Sequence, residues 1–295
     1  MATAGDWLEG ARPRTLLVSL APVIVGTGAA AALGGAAALR AILAAVVALG
    51  LQVGANYAND YSDGVRGTDD IRSGPTRLTA TGLASPQAVK MAAFANFALA
   101  LLAGVWLIAL AGTWWLLLIG ATMPLAAWFY TGGTNPYGYR GLGEVFVFVF
   151  FGLVATAGTT YTQVLAVPWQ VWWAATALGI LACAVLMVAN IRDIPTDEPA
   201  GKHTLAVRLG ERGARITYAL MLALAVIIAV VIMANPLAGW LPRWLCYLAA
   251  GGLTLWGARL TMPVLRGARA TALIGSLKQT GIFELIFALI LTAAL

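Results

Sequence analysis

The chain has 295 residues, of which 61% are hydrophobic and only 10% charged, whereas a water-soluble domain carries about 25% charged residues. That composition excludes a soluble globular enzyme and requires lipid around most of the chain. The net charge of +6 does not point to nucleic acid, because the cations are spread as the loops of a membrane protein spread them.

The apolar residues fall in nine blocks, at 16–33, 39–57, 89–111, 114–130, 145–166, 171–191, 216–234, 241–260 and 272–295. At 1.5 Å rise per residue, blocks of about 18 to 23 residues span a hydrocarbon core roughly 30 Å thick. The fold class expected is therefore an all-α polytopic membrane protein with nine transmembrane helices, residues 1–295 forming one domain. Arg12 and Arg14 ahead of the first block imitate a secretory signal, but eight further blocks make a retained signal anchor the better reading. Cys183 and Cys246 lie inside apolar blocks without metal-type spacing and read as core residues.

Walking the loops alternately assigns 16 of the 18 lysines and arginines to one side and leaves only Arg40 and Arg243 on the other. The positive-inside rule then sets the N-terminus in the cytoplasm and the C-terminus outside. The outward connections are short and nearly uncharged. Two inward connections, 60–90 and 192–215, are long, polar and rich in Asp, Arg, Gly and Pro, the character of loops that carry a reaction site. Among their charges, Asp70, Glu198, Arg208, Glu211, Arg212 and Arg215 read as solvated, and His203 as a loop residue. Glu284, inside the ninth block, either faces an internal cavity or snorkels.

A faint repeat links the two halves. The second block ends in Asn56-Tyr-Ala-Asn-Asp60-Tyr-Ser-Asp63 and the sixth in Asn190-Ile-Arg-Asp193-Ile-Pro-Thr-Asp197. This fits two four-helix halves plus a ninth helix. On a helix Asn56, Asp60 and Asp63 fall at i, i+4 and i+7, and Asp193 and Asp197 are one turn apart. Carboxylates crowded this way near a membrane repel one another, so a cation is their natural partner, and hard oxygen ligands favour Mg²⁺. Arg66, Arg72, Arg77, Arg192 and Lys202 in the same loops imply an anionic substrate, and metal with basic side chains is the usual way to hold a diphosphate as a leaving group.

The two motifs, Asn56-x3-Asp60-x2-Asp63 and Asp193-x3-Asp197, resemble the paired Asp-rich motifs of the UbiA-type intramembrane prenyltransferases. The stretch Asn59 to Asp69, the following Arg72-Ser-Gly-Pro75, and Gly201-Lys202-His203-Thr204 through Gly210 are similar to the branch that prenylates 1,4-dihydroxy-2-naphthoate for menaquinone. Many members space the first motif Asn-x3-Asp-x3-Asp, and here that last position is Gly64, so either Asp63 or Asp69 completes the first metal shell.

The resemblance implies Asp60, Asp63, Asp193 and Asp197 as the catalytic acidic residues, holding Mg²⁺ with Asp69 as the alternative ligand. It implies Asn56, Arg66, Arg72, Lys202, Arg140 and Asn190 as diphosphate-binding residues, Arg140 together with Tyr139. The partners implied are a polyprenyl diphosphate, 1,4-dihydroxy-2-naphthoate and the bilayer, with no nucleic acid. The setting implied is a bacterial plasma membrane with the site facing the cytoplasm. Two rivals follow from the residues: prenylation of another acceptor such as 4-hydroxybenzoate or haem, and secondary transport, which also uses inverted repeats and polar residues among spans.

Overall fold

The computed structural model describes residues 2–68 and 77–295. Among the described residues every regular element is helical. They are α1 (Ala4–Gly10), α2 (Pro13–Ala32), α3 (Ala38–Arg66), α4 (Pro86–Ala111), α5 (Leu116–Phe129), α6 (Gly143–Val147), α7 (Ala155–Val164), α8 (Trp169–Asp197), α9 (Leu205–Ala234), α10 (Arg243–Leu265) and α11 (Thr271–Ala294). A short 3₁₀ turn at Tyr137–Arg140 precedes α6, and a π-helical stretch, Phe148–Val154, joins α6 to α7.

Seven helical stretches are long and apolar enough to cross a membrane, two fewer than the nine blocks. The 14 residues of α5 reach only about 21 Å, and α10 is diluted by Arg243 and Arg259. Three apolar blocks also belong to longer helices than their composition indicates. The second continues through its acidic motif to Arg66 and the sixth to Asp197, so both motifs are helical rather than loop. The seventh is preceded by a short arm from Leu205, set off from the span by a kink at Gly210, φ 68°.

The most enclosed span is α8, 78% of whose apolar window is buried, and it packs against α9, the π-helical stretch and α11. Where it crosses the π-helical stretch, glycine meets glycine. A Cβ on Gly152 would lie 2.5 Å from the Gly179 Cα, so only small residues permit this approach, the packing chemistry that lipid-embedded helices rely on. Elsewhere α3 packs along α4, and α11 lies against both α2 and α8. Glu284 is fully buried in α11 rather than snorkelling, with neither carboxylate oxygen hydrogen-bonded to a described residue.

A candidate active site between the two acidic motifs

The C-terminal turn of α3 is closed by Gly67, φ 74°, whose N–H bonds to the Gly64 carbonyl while the Thr68 N–H bonds to the Asp63 carbonyl at 3.1 Å. This Schellman-type closure fixes Asp63 in the last helical turn. Its carboxylate accepts a 2.9 Å hydrogen bond from the Tyr139 hydroxyl and lies 3.6 Å from the Lys202 ammonium. Lys202 is also 3.8 Å from Asp197 Oδ1 and sits over the Tyr139 ring, 5.2 Å from its centroid. Its backbone N–H bonds to the Asp197 carbonyl at 2.9 Å, so the turn after α8 aims the side chain at α3. All three charged groups are buried.

Burial, reinforced by the Asp63 charge, pushes the Tyr139 hydroxyl up to about 12. Tyr139 is therefore a neutral hydrogen-bond donor to Asp63 at physiological pH.

These groups border one cavity of about 790 Å³ within the helical bundle. At one end the lining is polar, with Asn56, Asn59, Asp63, Asn190 and five cations: Arg12, Arg77, Arg192, Lys202 and Lys278. The remainder is walled by Val23, Val47, Leu51, Leu107, Met123, Phe150 and Val154, among others. Tyr130, Tyr137 and Phe146 line the space between, and Tyr137 stacks on Phe146 with centroids 3.9 Å apart. An anion with a long apolar tail matches this division, and aromatic faces near the polar end suit a transient carbocation.

The structure separates residues that the sequence reading had grouped. Asp60 is not part of the cavity wall: its two oxygens accept hydrogen bonds from the Leu78 and Thr79 N–H groups, both at 2.9 Å. Asp193 is gripped bidentately by Arg192 at 2.7 and 2.8 Å, and it is Arg192 that lines the cavity. In this structure both carboxylates are held by protein donors, Asp60 by backbone amides and Asp193 by Arg192. Asn56 borders the cavity, yet its Nδ2 donates to the Ala11 carbonyl at 2.8 Å.

Arg66 bonds to the Thr131 and Gly133 carbonyls and lies 5.3 Å from the Tyr139 centroid, outside the cavity lining. Arg140 is exposed and likewise does not line it. Asp69 and Arg72 lie outside the described residues. Asn190 lines the cavity and donates to Glu144 Oε1 at 3.1 Å. No three His, Cys, Asp or Glu side chains among the described residues form a metal-holding group by themselves.

Sequence reasoning missed Asn59, which lines the cavity and accepts from the Thr131 hydroxyl at 2.9 Å. At about 100° per residue, Asn56 and Asn59 project within about 40° of Asp63 on α3, whereas Asp60 is turned about 60° away. The spacing thus contained the distinction, although an i, i+4 match alone did not separate the two. Arg12 and Lys278 were counted only as topology markers, and chain distance gave no sign that they reach the site.

Residues 19–277 match the UbiA prenyltransferase family. A 1,4-dihydroxy-2-naphthoate octaprenyltransferase of Mycobacterium tuberculosis is 48% identical over 295 residues, covering 100% of this chain and 98% of that protein. One of the same description from Escherichia coli is 40% identical over 222 residues, covering 73% and 72%. A UbiA homolog from Archaeoglobus fulgidus, solved bound to GPP and Mg²⁺, superposes with a TM-score of 0.70 at 17% identity, covering 98% of this chain and 99% of that one, which shows the shared fold. With a match through nearly the whole bundle and full-length similarity to such a relative, this multi-pass membrane chain belongs to the UbiA prenyltransferase family.

Proposed function

We propose that the chain transfers a polyprenyl group from a polyprenyl diphosphate to 1,4-dihydroxy-2-naphthoate, with loss of the carboxyl group, giving demethylmenaquinol. The observation that carries this reading is the 48% identity, end to end, with a 1,4-dihydroxy-2-naphthoate octaprenyltransferase. The cavity supports it, pairing a cationic polar end with an apolar length for the tail.

In this reading the diphosphate lies against Lys202, Arg77 and Arg192, and the tail lies along the apolar wall. The allylic C–O bond breaks and the diphosphate leaves with the electron pair, its developing charge met by these cations. Tyr130, Tyr137 and Phe146 keep water from the allylic cation. The new C–C bond forms at the ring carbon bearing the carboxylate. The ring–carboxylate bond then breaks, its electrons restore the aromatic ring, and CO₂ departs. No proton has to be removed from that carbon, so the site needs no general base for this step.

Asp63 and Asp197 fit a divalent ion, being two carboxylates from different helices that converge on a single ammonium. Mg²⁺ typically takes one or two carboxylates and completes its shell with phosphate oxygens and water. The amide oxygens of Asn59 and Asn190, both bordering the cavity, are further hard donors. The bound GPP and Mg²⁺ of the Archaeoglobus fulgidus homolog support the assignment. When bound, the ion supplies positive charge against the departing diphosphate.

The reading includes nine spans, α5 and α10 completing the seven, arranged as two four-helix halves plus α11 within one domain. The packing of α3 on α4, repeated by α8 on α9, supports the halves. The cation distribution supports an N-terminus and a site facing the cytoplasm of a bacterial plasma membrane.

The test is the mass of the product formed by purified protein given Mg²⁺, a polyprenyl diphosphate and a mixture of 1,4-dihydroxy-2-naphthoate and 4-hydroxybenzoate. Demethylmenaquinol or its quinone is expected, silenced by a chelator and restored by Mg²⁺. A prenylated 4-hydroxybenzoate as the sole product would overturn the acceptor.

A further inference from the structure

Three rungs climb α3 away from the loop end. At the last turn Asp63 meets Tyr139 and Lys202. One turn back Asp60 holds the amides of Leu78 and Thr79, next to Arg77. A further turn back Asn56 holds the Ala11 carbonyl, next to Arg12, and Tyr57 holds the Trp7 carbonyl at 2.8 Å. At 1.5 Å per residue the Asn56 rung stands about 10 Å from the Asp63 rung. The buried polar side chains of the first motif thus fasten the segment that brings Arg12 into the cavity wall.

Arg12 occupies left-handed backbone, φ 56° and ψ 67°, directly before Pro13. A non-glycine residue pays a conformational cost there, and such positions cluster where function requires the geometry. The segment is held on two sides, by the bonds to α3 and by the packing of Gly10 against Leu78 and Tyr57.

We propose that Arg12 recognises the carboxylate of the aromatic acceptor. This rests on the prenyl-transfer reading above and adds the residue that would select an acidic ring over a neutral one. The diphosphate is provided for at the Asp63 rung, by Lys202 and a divalent ion. The acceptor ring must lie beside the allylic carbon, deeper than the diphosphate, and its carboxylate then falls at the level of Arg12. Glu9 lines the same wall, but a guanidinium has five N–H donors, enough to serve a protein carboxylate and a ligand carboxylate together. Pairing with Arg12 also keeps the acceptor's carboxylate ionised, the form that can leave as CO₂.

The experiment compares wild type, Arg12→Ala and Arg12→Lys in detergent, with KM measured separately for the polyprenyl diphosphate and for 1,4-dihydroxy-2-naphthoate. Arg12→Ala is expected to raise the acceptor KM about tenfold or more while leaving the donor KM nearly unchanged, and Arg12→Lys to recover part of the loss. As dead-end inhibitors, 1-hydroxy-2-naphthoate should bind wild type more tightly than 1-naphthol, and Arg12→Ala should erase that preference. A rise in donor KM alone, or a preference that survives in Arg12→Ala, would overturn the proposal. Absence of any prenylated product from wild type would instead overturn the reading on which it rests.

Discussion

The Lys202 ammonium stands 3.6 Å from Asp63 and 3.8 Å from Asp197, so one side chain joins the acidic motifs of two helices. Removing one partner from a buried charge group leaves the remainder uncompensated, and for a buried pair the cost is about 3–5 kcal/mol. Lys202→Ala is therefore expected to lower kcat/KM for the diphosphate donor about 100-fold or more. Lys202→Arg should recover only a fraction, because a planar fork does not replace a compact ammonium. Steady-state kinetics over a donor series check this. Near-wild-type kinetics in Lys202→Ala would show that the bridge has no part in the reaction.

Asp60 and Asp63 lie three residues apart, yet the structure predicts opposite phenotypes for them. Asp60→Asn introduces an amide NH₂ where two backbone N–H groups now donate to a carboxylate. One of those donors is then left without an acceptor, a loss of about 1–3 kcal/mol of stability. Asp63→Asn leaves that anchor intact and changes the group facing Lys202 and Tyr139, so activity should fall by orders of magnitude, whereas Asp60→Asn should lose stability first. Melting curves and turnover on the same two preparations separate the cases. A catalytically dead but fully stable Asp60→Asn would return Asp60 to the reacting groups.

The sequence carried the membrane class and both acidic motifs, because apolar length and helix-terminal Asp pairs are local properties of the chain. What it withheld was the direction of each carboxylate. Asn56 with Asp63 and Asn190 with Asp197 are both i, i+7 pairs, and corresponding members lie 134 positions apart. Asp60 and Asp193, 133 apart, are held by backbone amides and by Arg192 respectively, so the Asn-x6-Asp pairs are one residue out of register with the carboxylate pairs. Arg12 was illegible for a different reason. It reaches the cavity only because Asn56 and Tyr57 fasten a segment about 45 positions earlier in the chain, a contact with no periodic signature.

Tyr139 gives the site a defined alkaline limit. Its ordinary value of 10.0 is raised to about 12, first by burial and then by the Asp63 charge. A raised value in the folded state means that the neutral phenol is favoured there. Its contribution is complete below about pH 10 and is lost as the pH rises through about 12. The hydroxyl therefore should not titrate across the neutral range, and no kinetic pKa near 7 should disappear in Tyr139→Phe. That variant is expected to lose about tenfold in rate through the missing hydrogen bond to a charged acceptor. It should also remove one tyrosine from the late phase of an ultraviolet alkaline titration.

Arg192 and Asp193 are neighbours on α8 with divided tasks, since the arginine lines the cavity and the aspartate holds it through two bonds of 2.7 and 2.8 Å. A bidentate fork restricts a long side chain that would otherwise sample many rotamers, so Asp193 acts on the anion by aiming Arg192. Arg192→Ala and Asp193→Asn should therefore each raise the donor KM. The double variant should be little worse than Arg192→Ala alone, because once the guanidinium is gone there is nothing left to aim. A double-mutant cycle measures that coupling directly, and interacting pairs of this kind give about 0.5–3 kcal/mol. Strict additivity would mean that Asp193 acts on the reaction by its own route, as a metal ligand would.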